Sequence, residues 1–191
     1  MKIVLASASP RRSQLLKMMG IEDFTVIADT SDEHLTPGLS PEQQVCKLSV
    51  QKAQNVSLLC NQNDLLIAAD TLVYLDGRPL GKPTSQSDAR DMLRRLSGRA
   101  HSVYTGVTLL KNDKHSSHAE KTDVFFRELS ENEILRYVNT GEPMDKAGAY
   151  AIQEGAASFA RRIEGDFFNI MGLPLCRLSI MLKDFGVEPA A

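Results

Sequence analysis

Short apolar runs alternate with helical stripes along this chain. Residues 3–6, Ile-Val-Leu-Ala, form a continuous apolar run of the kind a buried strand needs. Ser9 and Pro10 then open a helix whose apolar face is Leu15, Leu16 and Met19 and whose stop is Gly20. A second strand is predicted over 24–28. The polar, turn-rich stretch 29–38 reads as a loop carrying Asp32, Glu33 and His34. Ser40, Pro41 and Gln43 make a capping-box start for a helix that runs to about residue 58. Residues 65–74 read as a buried strand, Asp76-Gly77 as a hairpin turn and 79–80 as a short return strand.

The second half continues in the same way. A helix is predicted over 85–96, closed by Ser97-Gly98, and a strand over 101–110. The polar residues 112–120 read as a loop before another strand at 122–128. Ser130 and Glu133 form a capping box for a helix through Val138. Residues 141–163 are rich in Gly and Ala and read as mostly irregular, with a candidate strand at 149–152. Pro174 starts a last helix with Leu175, Leu178, Leu182 and Phe185 on its apolar face, ending at Gly186. The pattern is α/β, or mixed α+β.

Composition narrows the class. At 191 residues the chain is long enough to bury a proper core, as one domain spanning 1–191 or as two small lobes. A formal net charge of −2 argues against wrapping nucleic acid by bulk electrostatics, so any basic site must be local. Three cysteines cannot all pair and none lies in a Cys-x-x-Cys spacing, which suits reduced thiols and a cytoplasmic location. No apolar run approaches membrane length, and none near the start suits a signal peptide.

Several residues break the pattern in chemically suggestive ways. Ser7, Ser9, Arg11 and Arg12 gather where a strand turns into a helix N-terminus, a place that already favours anions. Two cations there point to phosphate; an ordinary capped helix with solvated arginines is the alternative. Lys52 follows Val45 and Leu48 at helical spacing and so sits on the buried stripe. Either its stem snorkels to the stripe's edge or its ammonium is aimed at an anion site. Asp70 interrupts an apolar run, which suits a general base or metal ligand, or a buried carboxylate satisfied by backbone N–H groups. Lys82 lies between Gly81 and Pro83, and Glu33 offers a hard oxygen ligand for Mg²⁺. Gln153 carries a paired donor and acceptor suited to a base edge. P-loop, dinucleotide-fold, zinc and nucleophile-elbow signatures are missing.

Together these segments resemble the Maf family of nucleoside triphosphate pyrophosphatases. The motifs that carry the resemblance are Leu-Ala-Ser-Ala-Ser-Pro-Arg-Arg at 5–12, Gln-Lys-Ala at 51–53, Ala-Asp-Thr at 69–71 and Leu-Gly-Lys-Pro at 80–83. Leu-Ser-Gly-Arg at 96–99, Glu-Pro-Met-Asp-Lys-Ala-Gly-Ala-Tyr at 142–150 and Gly-Leu-Pro at 172–174 complete the ordered set. The 145–153 version is similar to the branch that cleaves dTTP and UTP.

The resemblance implies an elongated mixed sheet with flanking helices, in two lobes around a central cleft, of the inosine triphosphate pyrophosphatase type. It implies a divalent metal, Mg²⁺ or Mn²⁺, a nucleoside triphosphate substrate and a homodimer. Asp70 would accept the proton from attacking water. Ser7, Arg11, Glu33, Lys52 and Lys82 would line the phosphate and metal site, with Glu33 and Asp70 toward the metal. Arg12, Thr71 and Gln153 match positions tied to nucleotide choice. Ala151 and Glu154 stand where the family pattern has glycines. Two rivals follow from the same resemblance. One is a housecleaning pyrophosphatase for non-standard nucleotides. The other is a nucleotide-sensing regulator of septum formation with a division-related protein partner.

Overall fold

Thirteen helices and strands are laid out in chain order in the computed structural model, which describes residues 1–32 and 34–189. The first half holds β1 (Ile3–Ala6), α1 (Pro10–Met18), β2 (Phe24–Val26), α2 (Pro41–Ser57), β3 (Leu65–Leu75) and β4 (Arg78–Leu80). It is followed by α3 (Gln86–Leu96), β5 (Ala100–Lys111), β6 (Lys114–Phe126) and α4 (Glu131–Asn139). The remainder is β7 (Ala160–Glu164), α5 (Phe167–Met171) and α6 (Leu175–Lys183). The strands run in the order β2-β1-β3-β5-β6-β7, with β4 paired to β3. The chain forms two compact units, and β3, β5 and β6 each contribute to both.

The first unit holds Met1–Asp70, Thr105–Glu120 and the chain from Gly172. Its parallel core follows from the apolar runs found in the sequence. β1 pairs with β2 on one side and β3 on the other, with Ala6 opposite Ala68. The chain leaves β1 toward β2 and returns past it to β3, so β1 marks a reversal of strand order. Ligands in open α/β sheets bind outside the carboxyl ends of strands at such reversals. Helix α2 is started by the capping box at Ser40 and Gln43 and buries Val45, Leu48, Ala53 and Val56. It lies so close to β5 that a Cβ on Gly106 would sit 2.2 Å from the Val45 carbonyl oxygen. A hydroxyl chain adds polar contact there: Ser49 to Thr108 at 2.7 Å and Thr108 to Ser117 at 2.8 Å.

The second unit holds Thr71–Tyr104 and Lys121–Met171. Its core gathers Val73, Leu93, Leu96, Phe126, Ile134, Val138, Tyr150 and Phe159. Within it His101 is 3 % exposed, bonds Tyr150 Oη through Nε2 at 2.7 Å and meets the Phe126 ring edge-on. Burial lowers the His101 pKa to about 4, against a smaller opposing pull from Asp123.

The structure departs from the sequence pattern in four places. Residues 112–120, expected to be a loop, turn at Asn112 and then form the polar first half of β6, as Ser117 finds a hydroxyl partner on β5. The strand expected over 122–128 ends at Phe126. The candidate strand at 149–152 does not form; a 3₁₀ turn at Ala147–Ala149 leads into successive turns. Instead β7 forms at Ala160–Glu164 and pairs antiparallel with β6, although its burial pattern is mostly exposed. All three cysteines are free thiols, and no helix among the described residues is long and apolar enough to cross a membrane.

Candidate active site

Within the first unit, β1 ends at Ala6 and delivers Ser7, which is buried, to the start of α1. Ser9 holds the N-cap position, but its side chain makes no capping bond. The Ser7 hydroxyl accepts from the Ser9 amide at 3.2 Å and from Arg12 Nη1 at 3.0 Å. Arg12 Nε also donates to the Gly172 carbonyl at 2.8 Å. The motif at 172–174 therefore serves as a backbone anchor for this guanidinium. Arg11 is half-buried in the same first turn. A helix start without a side-chain cap, flanked by two guanidiniums, offers an anion both N–H donors and positive charge.

The parallel register of β1 and β3 brings a second group to the same strand ends. Ala6 lies opposite Ala68, so Ser7 and Asp70 each follow that matched pair at the carboxyl side. Asp70 is 4 % exposed. Lys52 reaches from α2 and donates to Asp70 Oδ1 at 2.5 Å. The lysine's place on the apolar stripe is thus explained by an anion, and that anion is a carboxylate of the protein itself. Asp70 Oδ2 is buried and has no hydrogen-bond partner among the described residues. A buried carboxylate oxygen left in this state needs a ligand, a water or a cation.

Sequence reasoning missed a third acidic group. Asp29, in the loop after β2, accepts from the Ser31 amide and hydroxyl at 3.1 and 2.9 Å and from Asn55 Nδ2 on α2. Burial works to raise its pKa. Bonds from Ser31 and Asn55, with the Lys52 charge, outweigh burial and hold the carboxyl below its usual range. Asn55 stands three residues beyond Lys52 on the same helix, so one turn of α2 braces both carboxylates. Glu33, expected at the metal, lies outside the described residues, and no cluster of three metal-ligating side chains occurs among those that are described.

The second unit carries the remaining candidates. Thr71 follows Asp70 directly on β3. Lys82 is exposed just past β4, where the Gly148 amide donates to the Gly81 carbonyl at 3.0 Å. That bond brings Lys82 to the segment leading into Gln153. Gln153 is half-buried, and its Nε2 donates to Glu154 Oε1 at 2.9 Å. Lys146, buried, bonds Asp145 and lies 3.9 Å from Glu154 Oε2.

A family model described as Maf-like protein matches residues 2–185. The chain belongs to the Maf family. Among curated Maf relatives, a dTTP/UTP pyrophosphatase of Pelotomaculum thermopropionicum is 49 % identical over 97 % of each chain. One of Caldicellulosiruptor bescii is 46 % identical over 98 % of this chain and 96 % of its own. Another, of Methanosarcina barkeri, is 46 % identical over 98 % and 95 %. Of solved structures, the Ham1 protein of Staphylococcus aureus matches 97 % of this chain and 100 % of its own, with a TM-score of 0.54 at 15 % identity. A HAM1 protein of Coxiella burnetii matches 96 % and 99 %, also at 0.54 and 15 %. These likenesses establish the mixed α/β fold that the Maf resemblance implied.

Proposed function

We propose that this Maf protein hydrolyses UTP and dTTP to the nucleoside monophosphate and pyrophosphate. The observation that carries the reading is the Asp70–Lys52 pair, with Oδ1 held by the ammonium and Oδ2 left open at the carboxyl end of β3. Relatives at 46–49 % identity that are named for this activity support the substrate.

The chemistry follows from placement. A triphosphate brings several negative charges, and Arg11, Arg12 and the N-terminus of α1 meet them with donors. Lys52 fixes the Asp70 carboxylate by one oxygen, so the other accepts a proton from a water aimed at the α-phosphorus. Pyrophosphate leaves with its charge held by cationic groups, among which we place Lys82. No covalent intermediate is required. The orphaned Asp70 Oδ2 also suits a divalent cation, which fits Mg²⁺ or Mn²⁺ with Asp70 and Glu33 as its carboxylates. Such an ion would offset phosphate charge.

Gln153 serves base choice. Its amide offers an acceptor and a donor side by side, which match the N3–H and a carbonyl of uracil or thymine. The bond from Nε2 to Glu154 fixes which way the amide faces, so cytosine, with an acceptor at N3, leaves that pairing broken.

The test is a set of kcat/KM values for UTP, dTTP, CTP, ATP and GTP with wild type and Asp70→Asn. The proposal expects UTP and dTTP to lead, and Asp70→Asn to lose about 10²-fold or more with every nucleotide. Full activity in Asp70→Asn, or a purine preference in wild type, refutes it.

A further inference from the structure

Residues 152–159 form successive turns, so no helix or strand ladder holds Gln153 in place. A hydrogen-bonded bracket does so instead. Tyr137, on α4, is 5 % exposed and packs edge-on against Phe159 with ring centroids 5.3 Å apart. Its hydroxyl donates to Glu142 Oε1 at 2.7 Å and accepts from the Ala151 amide at 3.2 Å. The Glu142 carboxylate then accepts the Gly155 amide at 3.1 Å from each oxygen. The fit is tight: a Cβ on Gly155 would lie 2.8 Å from Glu142 Oε2 and 3.1 Å from the Tyr137 ring. One phenol and one carboxylate thus pin both ends of the five-residue segment 151–155, and Gln153 is its midpoint. Burial and then the Glu142 bond push the phenol pKa up, so the hydroxyl stays a donor at neutral pH.

We infer that Tyr137 and Glu142 are positioning residues for base selection, setting where the Gln153 amide meets the pyrimidine edge. The inference rests on the dTTP/UTP reading above. Two-point recognition discriminates only when the amide is held to a fraction of an ångström, and misplacement by about 1 Å costs on the order of 10²-fold. A segment released at one end re-aims its amide. It then loses the contrast between N3–H of uracil and N3 of cytosine before it loses turnover, because the bracket's hydrogen bonds run to the Ala151 and Gly155 amides, whereas Asp70 is held by Lys52.

Tyr137→Phe removes one oxygen atom and keeps the ring against Phe159. Glu142→Ala removes the carboxylate and carries the same test if the first variant folds poorly by its melting curve. For each variant, kcat and KM are measured with UTP and CTP beside Gln153→Ala. We expect the UTP-to-CTP ratio of kcat/KM to narrow by about tenfold, with kcat for UTP changed less than about threefold. If both bracket variants lower UTP and CTP alike, or leave both unchanged, while Gln153→Ala narrows the ratio, the inference is overturned and the pyrimidine reading stands. If wild type shows no preference for UTP over CTP, or Gln153→Ala leaves the ratio intact, the reading itself fails and takes the inference with it.

Discussion

Removing Lys52 should strand Asp70, and the size of that effect follows from where the pair sits. The two side chains are 12 % and 5 % exposed and meet at 2.5 Å. Water therefore cannot take over the role of the ammonium at Oδ1, and Oδ2 already has no partner among the described residues. Breaking a buried ion pair from one side costs about 3–5 kcal/mol, and the residual exposure of the lysine favours the lower end. For a chain of this length about 3 kcal/mol lowers Tm by roughly 6–12 °C. Met fills the space of the lysine stem, so lost packing contributes little. Neutralising Asp70 as well should recover most of the loss. The assay is a double-mutant cycle of Lys52→Met and Asp70→Asn by urea unfolding at pH 7, and the expected coupling is about 2 kcal/mol or more. A Lys52→Met variant with the wild-type midpoint, or a coupling below about 0.5 kcal/mol, refutes the pair as drawn. Turnover should fall in every variant of the cycle, so stability reports the pair and kinetics report its use.

Other consequences are independent of that pair. His101 is held near a pKa of about 4 by burial against an ordinary 6.5, so the unfolded chain binds more protons between those values. The His101 contribution should be complete above about pH 7 and be lost as pH drops from 6.5 to 4, by about 3 kcal/mol; His101→Gln should reduce that slope, and parallel unfolding curves for the two proteins would overturn the assignment. Gly106→Ala places a Cβ 2.2 Å from the Val45 carbonyl oxygen and 2.7 Å from the Cys46 nitrogen, so α2 or β5 must shift. The urea midpoint should drop by the equivalent of about 1–3 kcal/mol, and an unchanged midpoint would show that the contact is loose.

The central pair of the candidate site was legible because each of its residues violates a pattern. Lys52 stands on an apolar stripe and Asp70 inside an apolar run, and the structure joins these two anomalies in one ion pair. Asp29 and Asn55 violate nothing. One is a polar residue in a polar loop and the other occupies the wetter side of a helix, so only folding shows their bond. β7 was invisible for a related reason: it is a mostly exposed strand with two adjacent arginines, a glutamate and one half-buried isoleucine, and its pairing with β6 supplies what its composition does not. The 149–152 run failed the opposite way. Its residues are apolar and buried, yet the positive φ of Gly148 and Ala149 turns the backbone out of a strand, and the Tyr137 hydroxyl takes the Ala151 amide that a ladder would need. Ser9 has the right identity for a cap, but its side chain does not close the helix.

The central claim is that water held by Asp70 attacks the α-phosphorus of a pyrimidine nucleoside triphosphate. UMP and pyrophosphate arise from attack at either the α- or the β-phosphorus, so product identity alone does not decide. Hydrolysis of UTP in water enriched in ¹⁸O, followed by mass spectrometry of both products, does. One solvent oxygen in the phosphate of UMP and none in pyrophosphate is the predicted result. Label in pyrophosphate, or UDP and orthophosphate as the first products, would contradict it.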